Sequence, residues 1–317
     1  RWLPSGNVRE IWAIAGVLVG LASTKRPVAG YVGQVLPVRC GQVKPCAAIR
    51  PRVSCTLIKG AARSYMGCMT VYLTIPQRRH IAFRRTEGKE PGVMFLGGFR
   101  SDMTGTKALH LESWAKAQGR AFLCFDYSGH GASGGRFEDG TIGDWAEDAA
   151  AMLALTPGPQ VLVGSSMGGW IALLLARDRP DCVVGLTAIA AAPDFTETLS
   201  SEGFTPAEKA ALLAEGQILR PSEYSDTPYP ITRRLIEDGR RHLVLTTPLV
   251  LPMPVRLLQG TADRDVPPYL ALRLLDHIES PDLSLTLVKD ADHRFSTASC
   301  LARMVATVDD VLTLVQP

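Results

Sequence analysis

The amino-acid sequence predicts an α/β fold. The expected architecture is a mostly parallel, doubly wound sheet with helices on both faces, an N-terminal antiparallel hairpin and a helical lid insertion. Three observations lead there. From residue 93 onward, short runs of Val, Leu, Ile and Phe alternate with segments of helical period, the pattern of strands joined by crossover helices. The apolar run 160–163 meets a Gly-x-Ser-x-Gly at Gly164, Ser166 and Gly168 and passes at once into the apolar helix start 170–176. Two later strands empty into loops that carry Asp263 and His293, and open α/β sheets place their sites outside the carboxyl ends of strands.

Each element follows in turn. Val71, Leu73 and Ile75 alternate with polar neighbours, and Ile81 and Phe83 resume the alternation after a turn at 76–79, which predicts the hairpin. Residues 93–96 read as a buried strand ending in Gly97-Gly98-Phe99. A helix over 106–118 closes at Gly119, and 121–127 is a strand leading into the Gly-rich loop 128–135. Ile142, Trp145, Ala149, Met152 and Leu153 recur at helical spacing before Pro157. Beyond the Gly-x-Ser-x-Gly, strands are expected over 183–190, 254–259 and 283–288. Leu270, Leu274 and Ile278 mark a helix between the last two, and Leu301, Met304, Val305, Val308 and Leu312 mark the final one. Residues 193–252 break this rhythm with a helix-like 206–214, many prolines and the aromatics Phe195, Phe204, Tyr224 and Tyr229. An excursion of that length is expected to be a lid over a site.

Two domains of different character are expected: a basic extension over 1–68 and the α/β body over 69–317, with the lid at 193–252. The extension has ten Lys/Arg and one acid, Glu10, a local charge of +9; with a net charge of +3 the body is left at −6. Without periodic apolar spacing, residues 1–68 are expected to lie outside the fold. A chain start at Met66 or Met69, an organellar transit segment, and a secretory signal around the apolar run 11–22 are the open readings. Cytoplasmic localisation is expected, with a mitochondrial one as the alternative if 1–68 is a transit segment. The acidic body excludes a nucleic-acid partner, and no apolar run is long enough for a stable membrane span. The seven cysteines lack CxxC spacing, and Cys124, Cys182 and Cys300 fall in apolar stretches, as reduced thiols do.

The chemistry gathers at Ser166. A serine hydroxyl needs a base to take its proton, and the base needs a third group to fix its tautomer. Among six histidines, His293 follows the last strand, whereas His130 precedes the serine and His80, His110, His242 and His277 lie elsewhere. Asp263 is the expected third group, with Asp265 two residues away as the competitor. Backbone N–H groups of Phe99 and Met167 are the expected oxyanion-hole donors. A second Gly-x-Ser-x-Gly, at Gly131, Ser133 and Gly135, follows no strand and reads as a loop serine. No cluster with metal spacing and no phosphate-cradling loop appears, so neither metal nor cofactor is expected. The lid aromatics are expected to wall an apolar acyl pocket. Lys209, Arg220, Arg233, Arg234, Arg240 and Arg241 offer either a positive surface that attracts anionic substrates or a solvated face.

The segments IAFRRTEGKEPGVMFLGGF (81–99), SDMTGTKA (101–108), FDYSGHGASGG (125–135), GPQVLVGSSMGGW (158–170), VRLLQGTADRDVP (255–267) and SPDLSLTLVKDADHRFS (280–296) resemble the α/β-hydrolase superfamily. Within it they are most similar to the palmitoyl-protein thioesterase and acyl-glucuronide esterase branch of the abhydrolase family and its bacterial relatives. The family often has Pro where this chain has Gly97. The resemblance implies a serine nucleophile at Ser166, with Asp263 and His293 as its partners. It also implies hydrolysis of acyl esters or thioesters, depalmitoylation included, through an acyl-enzyme, on a small-molecule or lipid-acylated substrate. An acyltransferase or peptidase on the same scaffold, or a non-catalytic binding protein, are the alternatives.

Overall fold

In a computed structural model, described for residues 35–37, 56–59, 70–75, 79–222 and 225–315, the chain builds a ten-stranded sheet. The strands of the body are β3 (Val71–Thr74), β4 (His80–Thr86), β5 (Lys89–Leu96), β6 (Arg120–Phe125), β7 (Gln160–Ser165), β8 (Val183–Ile189), β12 (Val255–Gly260) and β14 (Leu283–Val288). Between them run α1 (Thr106–Ala117), α2 (Ile142–Leu153), α3 (Met167–Asp178), α7 (Pro268–His277) and α8 (Ala298–Leu314). The order β3-β4-β6-β5-β7-β8-β12-β14 is parallel from β6 onward and antiparallel before it. The expected α/β-hydrolase architecture is therefore present, with the hairpin β3–β4 paired Val71 to Phe83.

Period-two alternation splits the core into two layers. Met94, Leu96 and Leu162 face one side and pack with Trp145 of α2, Trp170 of α3 and Leu274 of α7. Val93, Phe95, Val161 and Val163 face the other and pack with Leu111 of α1 and Met304 and Val308 of α8. The central strands are buried on both faces, which is why they read as continuous apolar runs rather than alternating ones.

Two strands lie within the segment expected to be outside the fold. β1 (Val35–Pro37) pairs antiparallel with β2 (Thr56–Lys59), and β2 pairs with β3, extending the sheet at its antiparallel edge. An open edge accepts any extended segment through backbone hydrogen bonds alone, so periodic side chains are not required there. The other readings of 1–68 and the turn at 76–78 fall outside the described residues.

The lid is not purely helical. It comprises α4 (Phe195–Thr198), one π turn over Leu199–Gly203, α5 (Pro206–Glu215), the antiparallel ribbon β9 (Gln217–Ser222) and β10 (Ser225–Thr232), then α6 (Arg233–Gly239). Pro228 and Pro230 argue against a strand, yet a two-stranded ribbon leaves one edge of each strand unpaired, where proline costs no ladder bond. β11 (Leu249–Val250) returns the chain to the body by pairing with β13 (Ile278–Glu279) after α7. The buried Asp194 carboxylate accepts from Val244 and Leu245 N–H, both at 2.9 Å, joining the two ends of the lid to each other, and Trp170 of α3 donates to the His242 carbonyl at 2.9 Å, tying the lid to the body. Among the described residues no helix is long and apolar enough to cross a membrane. Cys124 and Cys300 are buried in the core, but Cys182, expected to be reduced, is disulfide-bonded. It is buried at the loop just before β8.

Candidate active site

Ser166 caps the N-terminus of α3 at the carboxyl end of β7, with φ 55° and ψ −121°, a conformation that side chains rarely adopt. The flanking glycines make that turn possible. A Cβ on Gly164 would lie 2.4 Å from the Gly168 carbonyl oxygen, and one on Gly168 would lie 2.1 Å from the carbonyl oxygen of Leu96. The helix thus starts hard against the end of β5, and Ser166 is held clear of the backbone above it.

The two later loops come to the same place. His293 Nε2 lies 3.0 Å from Ser166 Oγ, and His293 Nδ1 lies 2.9 Å from Asp263 Oδ2. Asp263 is buried, and its other oxygen accepts from the N–H groups of Asp265 at 3.0 Å and Val266 at 2.8 Å, while Gln259 Nε2 donates to Oδ2 at 2.9 Å. The carboxylate is therefore oriented by three donors besides the histidine. Asp265, the competitor, is exposed and contributes its backbone N–H to Asp263. Asp263, Asp265 and His293 also form a group with metal-ligand spacing, but Asp263 Oδ2 and His293 Nδ1 are committed to each other.

The loop after β5 lies over Ser166: a Cβ on Gly98 would sit 3.3 Å from Ser166 Cβ. Phe99 follows, its ring edge-on to Phe137, Trp145, Phe195 and Tyr229 at 4.9 to 5.9 Å between centroids. Met167 is the first residue of α3, so its N–H has no carbonyl within the helix to bond. Of the expected pocket aromatics, Phe195 and Tyr229 reach the site through Phe99. Phe204 is instead buried in the core beneath Arg220, whose guanidinium lies 5.1 Å from the ring, and Tyr224 falls outside the described residues.

Ser133 is the loop serine its surroundings suggest. Its hydroxyl donates to the Asp126 carbonyl at 2.6 Å and accepts from Ala82 N–H at 2.8 Å. The positive lid surface is not present: Arg220 pairs with Glu208, Arg233 with Glu237, Arg234 with Asp144, Arg240 with Glu197 and Arg241 with Asp238. Each arginine meets a carboxylate of the lid or, for Arg234, of α2, so the arginine charge is cancelled rather than displayed, while the exposed Lys209 donates to the Ser201 carbonyl.

Two contributors escaped the sequence reading. His130 is buried, and its Nε2 lies 3.1 Å from the Arg100 N–H while Nδ1 lies 3.2 Å from the Ser128 carbonyl. A carbonyl only accepts and a backbone N–H only donates, so both contacts together fix the neutral tautomer with the proton on Nδ1. That contact holds Arg100, left-handed at φ 57°, directly after Phe99. The second is Lys107 of α1, which donates from Nζ to the Arg294 carbonyl, next to His293. Their partners lie 30 and 187 positions away in the chain, beyond any local signal.

A family profile described as "Alpha/beta hydrolase family" matches residues 93–307. The chain is 37% identical over 244 residues to palmitoyl-protein thioesterase ABHD10, mitochondrial, of Bos taurus, covering 76% of this chain and 79% of that one, and 36% identical to its Homo sapiens counterpart over the same shares. Among solved structures, a putative hydrolase from Agrobacterium vitis S4 is 42% identical with a TM-score of 0.74, covering 77% of this chain and 98% of that one. Alpha/beta hydrolase domain-containing protein 10 from mouse is 34% identical with a TM-score of 0.72, covering 78% and 99%.

Proposed function

Because the chain belongs to the alpha/beta hydrolase family, we propose that it is a serine hydrolase cleaving acyl esters and thioesters through an acyl-enzyme intermediate, in the manner of an acyl-protein thioesterase. The observation that carries this reading is the unbroken relay from Ser166 through His293 to Asp263, with the serine on a strained elbow at a helix N-terminus. In this mechanism Asp263 keeps the His293 proton on Nδ1, leaving Nε2 to accept the Ser166 proton. The alkoxide attacks the acyl carbonyl and forms a tetrahedral intermediate whose oxyanion takes hydrogen bonds from the N–H groups of Phe99 and Met167. His293 then protonates the departing thiolate or alkoxide. Water, deprotonated by the same imidazole, attacks the acyl-serine, releasing the carboxylic acid and restoring Ser166.

The acyl chain would lie against the aromatic surface that Phe195 and Tyr229 of the lid build around Phe99. The substrate would be a small acyl ester or thioester or a lipid-acylated protein. Each methylene placed in such a pocket is worth about 0.8 kcal/mol, so kcat/KM should climb with chain length until the pocket is full. The test is an acyl series on p-nitrophenyl esters and thioesters: a rise from acetyl to at least octanoyl is expected, with peptide amides untouched. A maximum at acetyl would point to a short-chain esterase, and amide cleavage to a peptidase. The curated relatives are named mitochondrial, which favours the mitochondrial over the cytoplasmic reading of location. A full-length fluorescent fusion excluded from mitochondria would oppose it.

A further inference from the structure

We propose that Lys107 is a positioning residue for His293, holding the loop that carries the imidazole and balancing the two carboxylates beside it. The proposal rests on the reading of His293 as the catalytic base.

The loop after β14 needs an external tie. Asp290 and Phe295, on either side of His293, are both left-handed, at φ 61° and 53°, a conformation that non-glycine residues hold only when their surroundings enforce it. The loop is pinned before His293 by Asp290 N–H donating to Thr261 Oγ1 at 2.8 Å and after it by the buried Phe295 ring. Between those pins, the carbonyl of Arg294 accepts from Lys107 Nζ. This bond fixes the Arg294–Phe295 peptide, one residue beyond His293, and so restrains the backbone from which the imidazole projects.

The placement of Lys107 breaks two local rules at once. It is the second residue of α1, where the helix dipole disfavours a cation, and neither its cap nor its first turn supplies an acid to compensate. Its side chain is also part-buried, and taking a charged group even partly out of water is costly unless it is paired. Burial pulls its pKa down to about 8, opposed by Asp292 and Asp263 and aided by Arg294. A cation placed against both preferences, beside the carboxylate that orients His293, marks a site-specific role rather than helix or surface stabilisation.

The test compares wild-type full-length protein with Lys107→Met and Lys107→Arg. The readouts are melting temperature, kcat and KM on an octanoyl thioester between pH 5 and 10, and the rate at which Ser166 is labelled by a fluorophosphonate. Lys107→Met is expected to lower kcat and the labelling rate by about 10²-fold, the scale of a 1 Å misplacement, with KM within about twofold. Lys107→Arg should restore most of kcat and remove a wild-type decline above about pH 8, because a guanidinium does not deprotonate there. Wild-type kcat and an unmoved pH profile in folded Lys107→Met would overturn the proposal. So would parallel loss of melting temperature and activity in both variants, which is a merely structural role. Should Lys107→Met not fold, a Lys107→Arg profile that keeps the alkaline decline would overturn it as well. Absence of label on wild-type Ser166 would instead strike the functional reading itself, and the proposal with it.

Discussion

Gly168→Ala tests the elbow's construction at a single methyl group. The added Cβ would stand 2.1 Å from the Leu96 carbonyl oxygen, 2.4 Å from that of Gly97 and 2.6 Å from the Leu96 carbonyl carbon. Real Cβ atoms essentially never approach closer than 3.0 Å, so something must move by at least 0.9 Å. The obstructing atoms are backbone at the end of β5, a strand locked between β6 and β7, so the start of α3 must give instead. Ser166 and Met167 sit there. Overpacking of this kind costs about 1–3 kcal/mol of stability, and a displacement near 1 Å at reacting groups costs about 10²-fold in rate. Gly119→Ala is the matched control. At φ 59° it is strained, with nothing within 4 Å of the new Cβ, so it should cost about 1–2 kcal/mol and leave the site alone. Thermal melts and kcat on an octanoyl thioester for both variants decide the matter. Gly168→Ala within threefold of wild-type kcat, or Gly119→Ala losing as much, would refute the packing argument.

Further outcomes follow from the same geometry. Asp263→Asn should lower kcat by about 10³–10⁴-fold: the N–H groups of Asp265 and Val266 claim the amide oxygen, which turns the NH₂ toward His293 and leaves Nε2 protonated against Ser166. Asp265→Asn keeps its backbone N–H and should stay within about threefold; the reverse ranking would make Asp265 the acid. Ser133→Ala should retain activity yet lose about 1–3 kcal/mol, because Ala82 N–H is left without its acceptor, and a denaturant titration measures this. Asp238 clips α6 to α2 through Gly143 N–H at 2.7 Å. Burial pushes its carboxyl up, but the Gly143, Arg241 and Thr141 donors outweigh it and hold it below the ordinary value. A lowered folded-state value means the clip's stabilisation is present above about pH 4 and lost as pH falls through the depressed value. Asp238→Asn should therefore melt earlier than wild type at neutral pH, with the gap closing toward pH 3; a gap constant with pH would dismiss the linkage.

Much of this arrangement was legible because it is local. Gly164, Ser166 and Gly168 announce a strand-turn-helix within five residues, and Asp263 and His293 each stand just past an apolar strand in the chain order a triad on this sheet requires. The choice between Asp263 and Asp265 could only be weighed, since it turns on which carboxylate is buried and held by neighbouring N–H groups. Other features depend on distant partners. His130 acts on Arg100, Lys107 on Arg294, and the lid arginines are neutralised by carboxylates such as Asp144, 90 positions from Arg234. The ribbon β9–β10 was hidden by its prolines, and the strands β1 and β2 by the absence of apolar period across 1–68. Interactions that reside in the backbone, or between remote segments, leave little trace in periodicity.

The central claim is that Ser166 is the nucleophile, activated by His293. Incubation with a fluorophosphonate, followed by peptide mapping of wild type, Ser166→Ala and Ser133→Ala, tests it most directly, because only an activated serine reacts at an appreciable rate. One phosphonylated residue, Ser166, is expected in wild type and Ser133→Ala, and no label together with no thioester hydrolysis in a folded Ser166→Ala. Label on another serine, or hydrolysis that survives Ser166→Ala, would contradict it.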